Sequence, residues 1–469
     1  MRVMKFGGGC LTGPDDLARA AELAGGAQTV VVVSALSGVT DELIRILERA
    51  AKFKRFPQAL FRSLSRRHRD CMQALALPQA AADGLRSIDQ LLHEAERLLR
   101  GITCIGEVPA SIRSRFMGYG EELSCLLMCA ALEARNVKAA ACDARCCGIS
   151  ADRPGTDARI DLTKTRRKLR RHLQPLIKNG KVPVITGFFG RAPDGTTAIF
   201  GRNASDYSAA AVACALDAAE LLIWKGVDGI MTMDPVYGRD ARSVKRLTWE
   251  EVKELTHFGA NILHPLTLEP LENSRTRVHI RNFRKPEQAG TEISSSAGGN
   301  RREICAITCH PGATMLQLSA SPAKLHQLLT RLEEGRRMPV TRITSMATAR
   351  DRVTLLMPAA DARILRRALD SAGEATIRVL DTRNDRALVA VVGQVLAHPR
   401  GLARLMSALA TAGITIEGIT PGGAVSSLCL VIPGNQAGRC VRAIHKRFFP
   451  PGPHRHHPSP TEINHDTSN

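Results

Sequence analysis

Residues 29–35 read TVVVVSA, and this run constrains the fold more than any other stretch. Four valines in succession leave a strand with no polar face. Such a strand must be covered on both sides, which is the condition of an inner strand in a parallel sheet. Residues 182–185 and 221–224 have a similar character, and 3–6 read as a further short strand. Helical patterns lie between them at 15–23, at 41–50 and along the stretch 57–99. Strands alternating with helices predict an α/β fold built on a mainly parallel central sheet. Ligands of such sheets sit beyond the carboxyl ends of the strands, and the Gly- and Ser-rich turns here fall at those ends.

The pattern changes after the flexible composition of residues 294–300, SSSAGGN. Strands are expected at 304–308, 315–318, 353–357, 387–393, 414–419 and 427–432. Helices are expected at 323–333, 360–372, 399–412 and 436–449, so that residues 387–449 run βαββα. The reading is a first domain over 1–295, a linker over 296–302, and two small units over 303–385 and 386–449. A tail rich in Pro, His, Ser and Asn, 450–469, is expected to be disordered.

Composition narrows the classes. Aromatic content is 4%, so the cores must be built from Leu, Val, Ile and Ala. No apolar run approaches the roughly 18 residues that span a bilayer. The opening residues Met1–Phe6 form a strand with no apolar signal core behind it, so a cytoplasmic protein without a membrane partner is expected. The 13 cysteines are scattered without CxxC spacing, which argues against a zinc site or a disulfide framework. Cys146 and Cys147 are expected as reduced core thiols. The net charge of +20 raises the question of nucleic acid. The largest basic cluster, Lys164, Arg166, Arg167, Lys168, Arg170 and Arg171, interleaves with Leu162, Leu169 and Leu173. That spacing describes a solvated helix face, and no aromatic residue is there to stack on bases. No nucleic-acid partner is expected; a basic surface also suits anionic ligands.

Four segments can build an anion site. Lys5-Phe6-Gly7-Gly8-Gly9 ends a strand in glycines whose amides can approach an anion beside a compact positive charge. Residues 34–41, SALSGVTD, place hydroxyls before a helix start. Residues 118–124, GYGEELS, put a carboxylate near a helix start, where it can cap the helix or hold an ammonium group. Residues 201–210, GRNASDYSAA, open a helix after a loop flanked by Arg202 and Asp206; arginine grips carboxylates bidentately.

Together these segments resemble those of the aspartate kinases, within the wider amino-acid kinase family. KFGG, VSALSGVTDEL, GYGEELS, GFFG, GRNASDYSAA, WKGVDGIMTMDP and FGANILHPLTLEP occur in the family's order and rough spacing. The resemblance covers about residues 1–295, and 387–449 resemble the family's tandem ACT region. It implies a three-layer sandwich followed by two ferredoxin-like βαββαβ units. It implies transfer of a phosphoryl group from Mg-ATP to the β-carboxylate of L-aspartate, the first step toward lysine, threonine and methionine. Carried over position by position, Lys5 would stabilise the transferring phosphoryl group, Glu121 the α-ammonium and Arg202 the α-carboxylate of aspartate. Asp206 would help position the substrate. Ser34, Ala35, Thr40, Phe188, Asn203, Ala204 and Ser205 would line the substrate pocket. Lys5, Phe6, Gly7, Gly8, Lys225, Gly226, Met231, Val236 and Asn261 would form the ATP half. A carboxylate nucleophile needs no general base, so charge neutralisation and alignment are what the protein must supply. Magnesium would ride on ATP oxygens and water, with no metal cage in the protein. A homo-oligomer is implied, with lysine or threonine as candidate effectors.

The chain departs from the family in the nucleotide half. Gly9-Cys10 stand for Thr-Ser, Ala204 for a loop glycine, Gly226 for an aspartate, Val236 for a basic residue and Asn261 for a lysine. In the first ACT-like unit, 321–324 (SPAK) replaces a glycine turn. The loss of two cations leaves a second reading on the same fold: an amino-acid sensor with weakened or absent chemistry.

Overall fold

The computed structural model describes residues 1–450 apart from 27, 77, 202, 259–262, 273, 296–302, 335–344, 350–351, 373–376 and 422–426. The expected linker, and the expected tail beyond Pro450, therefore lie outside the described residues. The chain divides into two units. One is Met1–Met231 with Ser243–Arg301, and the other is Thr232–Arg242 with Arg302–Asn469.

The first unit is built on strands β1 (Arg2–Phe6), β2 (Thr29–Val33), β3 (Ala139–Cys142), β4 (Val182–Thr186), β5 (Phe189–Arg191), β6 (Thr197–Ile199), β7 (Glu220–Lys225), β8 (Arg246–Thr248), β9 (Arg277–Asn282) and β10 (Thr291–Ser294). Eight of them form one sheet in the order β3-β4-β2-β1-β7-β9-β10-β8. All neighbours are parallel except β9 and β10. All five residues of β2 are buried, as its sequence demands. Period-two alternation sorts the faces. Met4, Phe6, Val31, Val33, Leu222 and Trp224 join one core with the helices Pro14–Ala24, Val39–Phe53, Gln58–Leu75, Pro78–Ile105 and Ala110–Glu133. Lys5, Val32, Ile223 and Lys225 are left to the opposite face, where the helix Ser205–Ala215 packs. The result is the expected layered α/β sandwich. The basic cluster lies on the helix Leu162–Lys178, with Leu169 and Leu173 buried. Arg166 and Arg170 pair with Asp217, and Lys164 pairs with Asp161.

The second unit is a six-stranded antiparallel sheet ordered β12-β13-β11-β14-β16-β15. Its strands are β11 (Ile304–Ser319), β12 (Ser345–Ala349), β13 (Arg352–Pro358), β14 (Arg378–Gly393), β15 (Gly418–Pro421) and β16 (Leu428–Pro433). Two cores form, one around Leu316, Leu329, Leu355 and Leu365, the other around Val389, Leu405, Leu430 and Ile444. Expected strands 304–308 and 315–318 are one strand of 16 residues. Its register shifts between His310 and Ala313, and Gly312 takes a φ of +70°, so the hydrophobic pattern breaks while the pairing continues. The expected strand 414–419 begins only at Gly418. Residues before it are used to close the helix Pro399–Thr411: the Gly413 and Ile414 amides bond Ala410 and Leu409 carbonyls, a Schellman closure. Among the described residues no helix is long and apolar enough to cross a membrane. The 13 cysteines carry no disulfide. Cys147 is buried as expected, whereas Cys146 is exposed.

Candidate active site

Three local devices bring the site together at the carboxyl edge of the first sheet. The first is the end of β1. Lys5 is buried, and its Nζ lies 2.7 Å from Asp206 Oδ1. Asp206 sits in the first turn of the helix Ser205–Ala215. Its Oδ2 is 2.8 Å from Lys225 Nζ at the end of β7. Burial pushes the Asp206 carboxyl up, but the Lys5 and Lys225 charges and their hydrogen bonds outweigh it and hold it below the usual carboxylate range. Burial, opposed by Asp206 and reinforced by Lys5, holds the Lys225 ammonium below its ordinary value.

The second device is the loop after β2. The helix Val39–Phe53 starts after Gly38, which takes φ +79° and supplies no side-chain cap. The hydroxyls expected before this helix do not cap it, and Ser34 and Thr40 line the cleft.

The third device is the long helix Ala110–Glu133. The expected helix start near Gly118 is wrong: the helix begins eight residues earlier, and Glu121 lies inside it. Gly120 explains the glycine-rich pattern. A Cβ there would stand 2.8 Å from Ala35 Cβ, so only glycine lets the helix touch the loop. That approach lets Glu121 Oε1 accept the Ala35 amide at 3.1 Å. Burial pushes the Glu121 carboxyl up to about 8, and the Ala35 bond opposes this only in part. Its neighbour Glu122 is compensated instead by Arg115 and Arg145.

Two clefts result. One, of about 210 Å³, is lined by Gly8, Ser34, Ala35, Thr40, Glu121, Phe188, Asn203 and Ser205, among others. The other, of about 390 Å³, is lined by Lys5, Gly7, Gly8, Ser34, Asn203, Asp206, Lys225 and Gly226, among others. They share Gly8, Gly9, Ser34 and Asn203. Phe188 and Asn203 hold positive φ of 74° and 62°, strained backbone for such residues at the cleft wall.

Not every expected residue arrives. Phe6 faces the other side of the sheet and stacks on Trp224. Ala204 is fully buried ahead of its helix, so its Cβ obstructs neither cleft. Met231 bridges Ser243 and lines neither. Val236 is 78% exposed and belongs to the second unit. Arg202 and Asn261 lie outside the described residues. The sequence reading missed Leu36, Ser37, Asp41, Cys10 and His264 as lining residues. His264 stacks on Tyr207 and could have been found from its place in the quoted FGANILHPLTLEP motif.

A cleft offering an uncompensated carboxylate, opening on the same loops as one offering two ammoniums, is a site for a zwitterion and a polyanion side by side. The amino acid kinase family matches residues 1–282. The chain belongs to the amino acid kinase family. An ACT domain matches residues 389–448. The chain is 28% identical over 462 residues to lysine-sensitive aspartokinase 3 of Escherichia coli, covering 95% of this chain and 99% of that one. It is 27% identical over 467 residues to chloroplastic aspartokinase 1 of Arabidopsis thaliana, covering 96% and 80%. A crystal structure of E. coli aspartokinase III in complex with aspartate and ADP superposes with a TM-score of 0.82 at 25% identity, covering 96% of this chain and all of that one. The expected aspartate-kinase-type enzyme is thereby met, as kinase domain and ACT domain on one chain.

Proposed function

We propose that this family member transfers the terminal phosphoryl group of Mg-ATP to the β-carboxylate of L-aspartate, yielding 4-phospho-L-aspartate and ADP, at the head of lysine, threonine and methionine synthesis. The observation that carries this reading is the pair of clefts sharing Gly8, Gly9, Ser34 and Asn203. Aspartate would place its ammonium on Glu121, with its β-carboxylate directed toward the shared loops. The triphosphate would occupy the wider cleft, with Lys5 facing the transferring group. Two anions that repel must be aligned, and the ammoniums and glycine-loop amides lower that barrier. Among the described residues no cluster of three metal-ligating side chains exists, and Asp206 is already engaged by two lysines. Magnesium would therefore enter with the nucleotide as part of its substrate complex.

The E. coli relative has also been solved with lysine and aspartate, at a TM-score of 0.75. This supports lysine as an effector candidate here, ahead of threonine, acting through the second unit of a cytoplasmic homo-oligomer; light scattering tests the assembly. The function itself is tested by ADP release with and without L-aspartate, trapping the acyl phosphate as hydroxamate. Aspartate-dependent turnover that disappears in Lys5→Ala supports the reading. Amino-acid binding without turnover would replace it by the sensor.

A further inference from the structure

We propose that Lys225 is a second catalytic ammonium of the phosphoryl-transfer site, which Asp206 holds in position jointly with Lys5; this rests on the kinase reading above. The sheet register places it. Lys5 stands opposite Ile223 across the parallel β1–β7 pair, and Lys225 lies two residues further along β7. Residues two apart share a face and are about 7 Å apart along a strand. Lys225 therefore extends on the face of Lys5, one pleat nearer the carboxyl edge where the cleft opens. The adjoining Gly226 has open space where a Cβ would stand.

Asp206 is the hinge of the arrangement. One carboxylate oxygen is 2.7 Å from Lys5 and the other 2.8 Å from Lys225, with the aspartate buried. Two cations on one carboxylate leave an excess of one positive charge. Asp206 is the sole carboxylate among the described residues lining this cleft. A pair of ammoniums with surplus charge at a strand edge is suited to a polyphosphate. In the reaction a bond forms between a β-carboxylate oxygen of aspartate and the terminal phosphorus. The bond from that phosphorus to the bridging oxygen breaks, and its electron pair stays on ADP. Lys5 and Lys225 give up no proton in this step; they stabilise charge on the transferring group and on the departing oxygen. The sequence carries Asn261 where the resemblance implies a lysine, and a lysine at 225 supplies a cation from another element.

The experiment compares Lys225→Met and Lys225→Arg with the unaltered chain, in aspartate-dependent turnover and in calorimetric binding of ATP and of AMP. Lys225→Met should lower kcat on the order of 100-fold. It should weaken ATP by about tenfold or more while AMP changes less than about twofold, because only ATP carries the β- and γ-phosphates that would meet the ammonium. Lys225→Arg should recover part of both. If the methionine variant does not fold, judged by its melting transition, Lys225→Gln takes its place. A folded variant with kcat within about threefold of the parent and an unchanged ATP-to-AMP ratio overturns the assignment and leaves Lys225 as a counter-ion of Asp206. Should the parent show no aspartate-dependent turnover, the function proposed above fails, while the ATP-to-AMP comparison still decides Lys225. A parent that binds neither nucleotide overturns both.

Discussion

Glu121 accepts the Ala35 amide at 3.1 Å through Oε1, while its Oε2 has no partner among the described residues. A buried carboxylate with one free oxygen at a cleft is an incomplete site, and an ammonium group completes it. Burial raises the carboxyl to about 8, so the ligand-free protein carries it protonated at neutral pH. Taking up an ammonium requires the ionised form and releases that proton. Aspartate affinity should therefore rise as pH climbs from 6 to 8, with proton release visible as a buffer-dependent binding enthalpy. The folded protein binds this proton more tightly than the unfolded chain, so the group costs stability as pH rises from about 4.5 through 8. Glu121→Gln should abolish aspartate binding yet raise stability at pH 8 by about 1–2 kcal/mol. Urea midpoints at pH 6 and 8 check this; equal gains at both would contradict it.

Gly187 sets the spacing between the end of β4 and the helix carrying Asp206. A Cβ there would lie 2.7 Å from Ser205 Cβ and 3.1 Å from Ser205 Cα. The helix start must move to admit it, and Asp206 moves with the first turn. Gly187→Ala should reduce turnover by about 100-fold, since displacements near 1 Å are enough for losses of that order. The melting transition should shift far less than activity. Full turnover in this variant would show that the Ser205–Asp206 turn tolerates displacement.

His68 bonds the Leu64 carbonyl at 2.8 Å inside the helix Gln58–Leu75, with its ring fully buried. Burial, opposed in part by that bond, pulls its pKa to about 4. Between about 6.5 and 4 the unfolded chain takes a proton that the folded one refuses. Stability attributable to His68 is thus present above pH 6.5 and lost as pH falls toward 4. His68→Leu should flatten the acid limb, narrowing the stability difference between pH 7 and 5 by about 1–2 kcal/mol. Urea titrations of both proteins measure it, and identical pH slopes would reject it.

Most of this layout was legible before any coordinates, and the exceptions have physical causes. The valine run of β2 announced a doubly covered strand because burial on both faces forbids polar residues. Glu121 was singled out through the resemblance, while the local GYGEELS pattern does not separate it from Glu122. Only the packed neighbours show Arg115 and Arg145 reaching Glu122 while Glu121 meets one amide. The helix start at Ala110 was hidden because Gly118 and Gly120, which suggested a helix start, sit inside the helix where a Cβ would press on Phe189 and Ala35. Lys225 was expected in the ATP half, but its pairing with Asp206 depends on register and helix placement, which no local pattern encodes. Likewise, composition could not reveal that Thr232–Arg242 joins the second unit.

That excursion supplies the last prediction. Thr232 Oγ1 accepts the Arg242 amide at 3.0 Å and meets His445 Nε2 at 2.9 Å, both within the second unit. The Thr232 carbonyl accepts the Ile307 amide at 2.8 Å, tying the segment to β11. His445 is buried, and burial together with Arg242 keeps its ring below the ordinary histidine range, with Asp240 opposing. The neutral ring therefore depends on this hydroxyl for its Nε2 partner. Thr232→Val keeps the shape but leaves the ring nitrogen and the Arg242 amide unsatisfied, at a cost of about 1–3 kcal/mol. Thr232→Ser should cost less than half of that. Hydrogen exchange at Ile307 and Arg242 reads the local loss; unchanged protection in Thr232→Val would show that backbone pairing alone holds the segment.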